Sequence, residues 1–119
     1  MSITLNTLVY NQDSFINANK VKYTGPEHTF TTKDEMYLSR VAPKPTNDFD
    51  GVARSTVKSV KTVEINSVTG ETHDAIIETT FNFPVGMTSA DADALRDQHG
   101  DFLISADAGT LSNSHDLTY

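Results

Sequence analysis

Arg54, Thr56 and Lys58 stand at alternate positions, and so do Glu78, Thr80 and Asn82; these are the residues of the chain best spaced to act together. On a strand, side chains two apart leave the same face of the sheet, so each trio would present its charges and hydrogen-bonding groups side by side. Guanidinium and ammonium groups gathered on one face can meet a polyanion, and the same charges on an exposed face can also serve only to solvate it. The chemistry indicated is recognition of a polyanion rather than the making or breaking of a bond. Patterns for catalysis and metal binding are missing. The histidines at 28, 73, 99 and 115 lack ligand spacing, and there is no cysteine. The acids of DADALRDQHGD do not follow the glycine-centred order of a calcium loop. Glu71, His73 and Asp74 cluster, but alternation sends Asp74 to the face opposite the other two. Neither a glycine-rich phosphate loop nor a G-x-S-x-G elbow occurs. No enzymatic activity, metal or cofactor is expected.

Two long strands must position those trios. In residues 71 to 85 the odd positions give Ala75, Ile77, Thr79, Phe81, Phe83 and Val85, and the even positions Thr72, Asp74, Ile76, Glu78, Thr80 and Asn82, so one face is apolar and the other mostly polar. That is the pattern of an antiparallel sheet covered on one side only. GVARSTVKSVKTVEIN repeats it, with Arg54, Thr56, Lys58, Thr62 and Glu64 on one parity and Ala53, Val57, Val63 and Ile65 on the other. Val60 and Lys61 interrupt the alternation, which a bulge near Ser59 or a simple exception would explain. A short turn at Asn66 to Gly70 makes the two strands a long hairpin. Further turn signals fall at Asn11 to Ser14, Gly25-Pro26, Ala42 to Pro45 and Asn47 to Gly51, between runs rich in β-branched and aromatic residues. The reading is α+β, an antiparallel meander followed by helix. Pro84 ends the last strand, and Thr88 with Asp91 forms a capping pair. Ala92, Leu95, Phe102 and Leu103, with His99 between them, define one helical face from about 89 to 105. Gly100 suggests a bend or close packing there, and Ala108-Gly109-Thr110 a break before a short tail.

The 119 residues fit one domain, 1–119, but Leu, Ile, Val and Phe number only 28, thin for a free-standing core. A partner that completes the core is therefore expected. The net charge of −7 is unevenly spread: residues 1 to 61 hold eight basic and six acidic side chains, and residues 62 to 119 hold one basic and ten acidic. Such a chain can offer a basic face to a polyanion and stay acidic elsewhere. The N-terminus MSITLNTLVYNQ has no basic, apolar leader, and no segment approaches a membrane span, so a protein made in a cytoplasm without a membrane partner is expected.

RSTVKSVKTVEIN, IIETTFNFPV running into Gly86, the capped acidic helix and a chain ending in Tyr119 together resemble the coat proteins of the single-stranded RNA bacteriophages, the leviviruses. The order of elements matches over the whole chain, and the sequence likeness is concentrated in residues 54 to 119. The resemblance implies an N-terminal β-hairpin and a five-stranded antiparallel sheet followed by two C-terminal helices. It implies an interlocked dimer in which each subunit's helices, through Ala92, Leu95, Phe102 and Leu103, lie over the partner's sheet. Dimers would close into an icosahedral shell, with the turn at 66 to 70 and the connection at 42 to 50 in contacts between them. The open face would bind single-stranded phage RNA inside a virion made in a bacterial host's cytoplasm. By parity its contacts would be Thr56, Lys58, Thr62, Glu78 and Thr80, with Arg54 added on its chemistry. Ile76 stands where an aromatic would stack a base better. The other reading the residues allow is a non-viral β-sheet binding module of adhesin-like type.

Overall fold

A computed structural model describes residues 2–117, and the terminal Tyr119 of the pattern lies outside them. The chain forms two compact units that divide between Val85 and Gly86. The first is one six-stranded sheet in the order β1-β2-β3-β4-β5-β6, every neighbouring pair antiparallel. Its strands are β1 (Ser2–Leu5), β2 (Leu8–Asn17), β3 (Lys20–Thr24), β4 (Asp34–Val41), β5 (Val52–Asn66) and β6 (Glu71–Pro84). Six strands stand where a hairpin plus five were expected, one fewer in total, because the β1–β2 hairpin is itself the start of a continuous meander.

The long hairpin forms as its alternation requires. β5 and β6 pair from Val52↔Pro84 to Glu64↔Thr72, and Asn66 closes the turn by accepting from Gly70 N–H through its carbonyl and from Val68 N–H through its side chain. The pairing runs unbroken through Ser59, Val60 and Lys61, so no bulge lies there; the irregularity falls at Ile65 instead. Val60 is an exception on the polar face, buried between Glu35 and Ile76 in the register of its two neighbours.

Asn11 to Ser14 does not turn. It lies inside β2, where the register skips Asp13, so the polar cluster produces a bulge rather than a reversal. The reversal before it occurs at Asn6 and Thr7, both in the left-handed region at φ 46° and 71°. The β3–β4 connection is fastened by Asp34, only 3% exposed. Its carboxylate accepts from the Tyr10 hydroxyl at 2.7 Å and from Glu27 N–H at 3.2 Å. Asp34 also draws in Gly25, whose N–H donates to the Asp34 carbonyl at 2.7 Å.

The second unit contains α1 (Ser89–Leu103) and α2 (Ala106–Ser114). Thr88 caps α1, its hydroxyl accepting from Asp91 N–H at 3.2 Å, as the sequence indicated. The break comes earlier than Ala108-Gly109-Thr110, at Ile104-Ser105, because Ser105 caps a new helix by accepting from Ala108 N–H. α1 continues unbroken through Gly100, around which there is open space, so a tight contact is not the reason for that glycine. Neither helix is long and apolar enough to cross a membrane.

The core is sparse. Among the described residues only Tyr23, Met36, Val60 and Ala108 are buried apolar side chains, and α1 buries none of its residues.

Candidate nucleic-acid interface

The register sorts the sheet into two faces. One carries Val21, Tyr23, Met36, Leu38, Val57, Ile77, Phe81 and Phe83, linked across the strands by Tyr23↔Met36, Leu38↔Val57 and Ser59↔Ile77. The phenyl rings of Phe81 and Phe83 lie 5.7 Å apart. Lys61 emerges on this side and forms an ion pair with Glu27 at 2.7 Å, which raises its pKa above the ordinary lysine value.

The other face brings together all six strand residues expected to act jointly. Thr56 lies opposite Thr80, Lys58 opposite Glu78 and Arg54 opposite Asn82. Arg54 Nε donates to Asn82 Oδ1 at 3.0 Å, leaving the terminal nitrogens of the guanidinium for another partner. Thr62 shares the face, but its hydroxyl is already engaged: it donates to Asp74 Oδ1 at 2.9 Å and accepts from Lys33 N–H at 2.9 Å. That bond and the Lys33 ammonium, 3.3 Å from Asp74, hold the Asp74 carboxyl below its ordinary value.

Several participants are ones the long hairpin alone does not reveal. Lys20 and Lys22 of β3 and Tyr37 of β4 lie on the same face, through Lys20↔Ser39↔Thr56 and Lys22↔Tyr37↔Lys58. The KVKYT alternation in β3 carries that signal, two lysines on one parity with Val21 and Tyr23 on the other. With Lys33, Glu35, Lys58 and Asp74, Lys20 and Tyr37 line a hollow of about 280 Å³ floored by Val60 and Ile76. The Lys20 ammonium sits 5.1 Å from the centre of the Tyr37 ring. The Tyr37 hydroxyl donates to Glu35, and that bond together with burial pushes its pKa up to about 12.

Charge pairing on this surface is incomplete. Lys22 reaches Glu35 at 3.7 Å and Asp13 at 3.8 Å, and Lys33 reaches Asp74. Among the described residues Lys20, Lys58, Arg54 and the nearby Lys44 make no ion pair with a carboxylate, in a chain whose net charge is −7. Lys58 is half-buried along the strand, and no carboxylate among the described residues lies in ion-pair reach of its ammonium. No group of histidine, aspartate and glutamate among the described residues is arranged to hold a metal ion.

In fold, this antiparallel sheet followed by two helices is similar to chains of levi-like virus particles. The subunit of the virus-like particle of Beihai levi-like virus 32 superposes with a TM-score of 0.84 at 20% identity, over 96% of this chain and 91% of that one. That of Wenzhou levi-like virus 4 gives 0.79 at 19% identity over 97% and 82%, and that of bacteriophage GQ-907 gives 0.77 at 18% over 99% and 90%. No protein-family model matches the chain, and no curated protein matches it by sequence. The likeness carried by RSTVKSVKTVEIN and IIETTFNFPV is borne out at the level of the fold.

Proposed function

We propose that this chain is the coat protein of a levi-like phage: one coat-protein domain that pairs with a second copy, closes into an icosahedral shell and packages single-stranded RNA against the polar face of its sheet. Its place is the virion, and its role is structural rather than catalytic. The observation that carries the RNA reading is the set of cations left without carboxylates on one surface of an acidic protein. The sparse core and the open outer edge of the fourteen-residue β6 support pairing with a second copy. Such an edge invites another strand. Ala92, Leu95, Phe102 and Leu103 would then cover the partner's apolar sheet face, and an adhesin-like module would have no use for that arrangement.

Lys58→Ala and Arg54→Ala are each expected to reduce the salt slope of RNA binding by roughly 0.7 to 0.9 per lost phosphate contact and to weaken binding across many sequences. Thr56→Ala and Thr80→Ala should change the preference among hairpins more than the overall affinity. Lys61→Ala, on the opposite face, should leave both unchanged. Filter binding over a salt series, with the RNA content of particles, decides the matter. An unchanged slope at 54 and 58 with a loss at 61 would reverse the assignment of the faces.

The turn at 66 to 70 projects Val68, which is 93% exposed, from the tip of the long hairpin. It would serve contacts between dimers, as would the 42 to 50 connection. Lengthening the turn by two glycines should lower the temperature at which particles come apart and leave the dissociated protein's folding intact. An insertion there that prevents folding would contradict this placement.

A further inference from the structure

Beyond the strands, the β4–β5 connection holds a separate recess of about 310 Å³, lined by Lys44, Phe49, Gly51 and Arg54 with Val41 and Val52 at its sides. The backbone pins this loop. Thr46 N–H donates to the Phe49 carbonyl at 2.7 Å, and the Phe49 N–H returns a longer bond to Thr46. Gly51 is buried at φ +99° and so close to Lys44 that a Cβ would meet its backbone nitrogen at 3.0 Å. Lys44 and Phe49 are therefore presented from a fixed ribbon, and the Phe49 ring is 50% exposed. Asp48 and Asp50 flank Phe49 in sequence but do not line the recess, and neither Lys44 nor Arg54 has a carboxylate in ion-pair reach among the described residues.

An exposed ring beside two uncompensated cations combines what a single nucleotide offers in reverse, a flat base and an adjoining phosphate. The geometry points to a nucleotide-binding recess in which one unpaired RNA base stacks on Phe49 and its phosphate is met by Lys44 and the free terminal nitrogens of Arg54. This rests on the RNA reading above and carries the footprint from the strand face onto the loop. Stacking tolerates any base, so the recess would hold single-stranded RNA without choosing its sequence.

The test has two arms. Particles of the unaltered chain loaded with RNA containing 4-thiouridine are irradiated, and the crosslinked peptides are identified by mass spectrometry; a crosslink within residues 42–51 is expected. In parallel, a short unstructured RNA is titrated against the full chain carrying Phe49→Leu, Phe49→Tyr, Lys44→Ala or Lys58→Ala. Phe49→Leu should weaken binding roughly 5- to 150-fold, the loss of one stacked base, with the salt slope unchanged. Phe49→Tyr should bind like the unaltered chain, and Lys44→Ala should lower the slope by roughly 0.7. Wild-type binding by Phe49→Leu and Lys44→Ala, with no crosslink in the loop and a clear loss at Lys58→Ala, overturns the recess and leaves the strand face standing. Wild-type binding by all the variants overturns both.

Discussion

Phe102→Ala should lower the stability of the paired protein by about 3 to 5 kcal/mol, and Leu95→Ala by about 2 to 5 kcal/mol, for each copy of the contact. Within a single chain these side chains are 45% and 50% exposed, so about half of each is left for a second copy to cover. On the proposed pairing, part of that loss comes from a surface that a second copy supplies. The size of the effect should therefore depend on protein concentration, which a purely internal core residue would not show. Denaturation of the dissociated protein at a series of concentrations makes the distinction. Wild-type midpoints for both variants at every concentration would mean that α1 covers nothing.

Gly25→Ala is the second substitution with a large expected cost. A Cβ at Gly25 would lie 2.3 Å from Asp34 Oδ2, 2.6 Å from Asp34 Cγ and 2.7 Å from Tyr10 Cε2. The Asp34 carboxylate cannot swing clear without giving up the Tyr10 hydroxyl and Glu27 N–H that it accepts from. Overpacking of this kind costs about 1 to 3 kcal/mol, to which a buried polar group left unpaired would add. Because the clash sits inside one copy, its cost should not vary with concentration. An unchanged unfolding midpoint for Gly25→Ala would show that the connection is looser than its hydrogen bonds indicate. The same contact has a pH signature. The bond to Asp34, aided by burial, pushes the Tyr10 pKa up to about 12 from 10.0, so the folded chain holds that proton longer than the unfolded one. The stability it contributes is complete below pH 10 and drains away as the pH climbs towards 12, and Tyr10→Phe should flatten part of that alkaline decline.

Much of the fold is written in local pattern. Period-2 alternation gave the faces of β5 and β6, and short polar side chains gave the turn at Asn66 and the cap at Thr88, because each of these depends on residues a few positions apart. What depends on distant neighbours is not legible in the same way. Val60 reads as an interruption until Glu35 and Ile76 are seen on either side of it. Asn11 to Ser14 carries turn chemistry, yet pairing with β3 keeps it extended and spends the extra residue as a bulge at Asp13. The turn at Asn6 and Thr7 lacks the glycine that usually marks positive φ. The candidate site divides likewise: parity places Arg54, Thr56, Lys58, Glu78 and Thr80 on one face. Lys20, Lys33 and Tyr37 join them only through the order of the strands, and Thr62 proves to be tied to Asp74 and Lys33.

In the meander every strand bonds to the strand made just before it. A chain emerging from the ribosome can therefore add each strand to the one before it without waiting for a segment not yet made. The parts proposed to meet a second copy come at the end of that schedule. β6, with its open edge, is synthesised sixth, and the under-buried helices follow it. On the proposed pairing, the surfaces that meet a second copy would thus appear only when little of the chain remains unfolded, which would shorten the interval in which an incomplete polypeptide could stick to its neighbours on the same message.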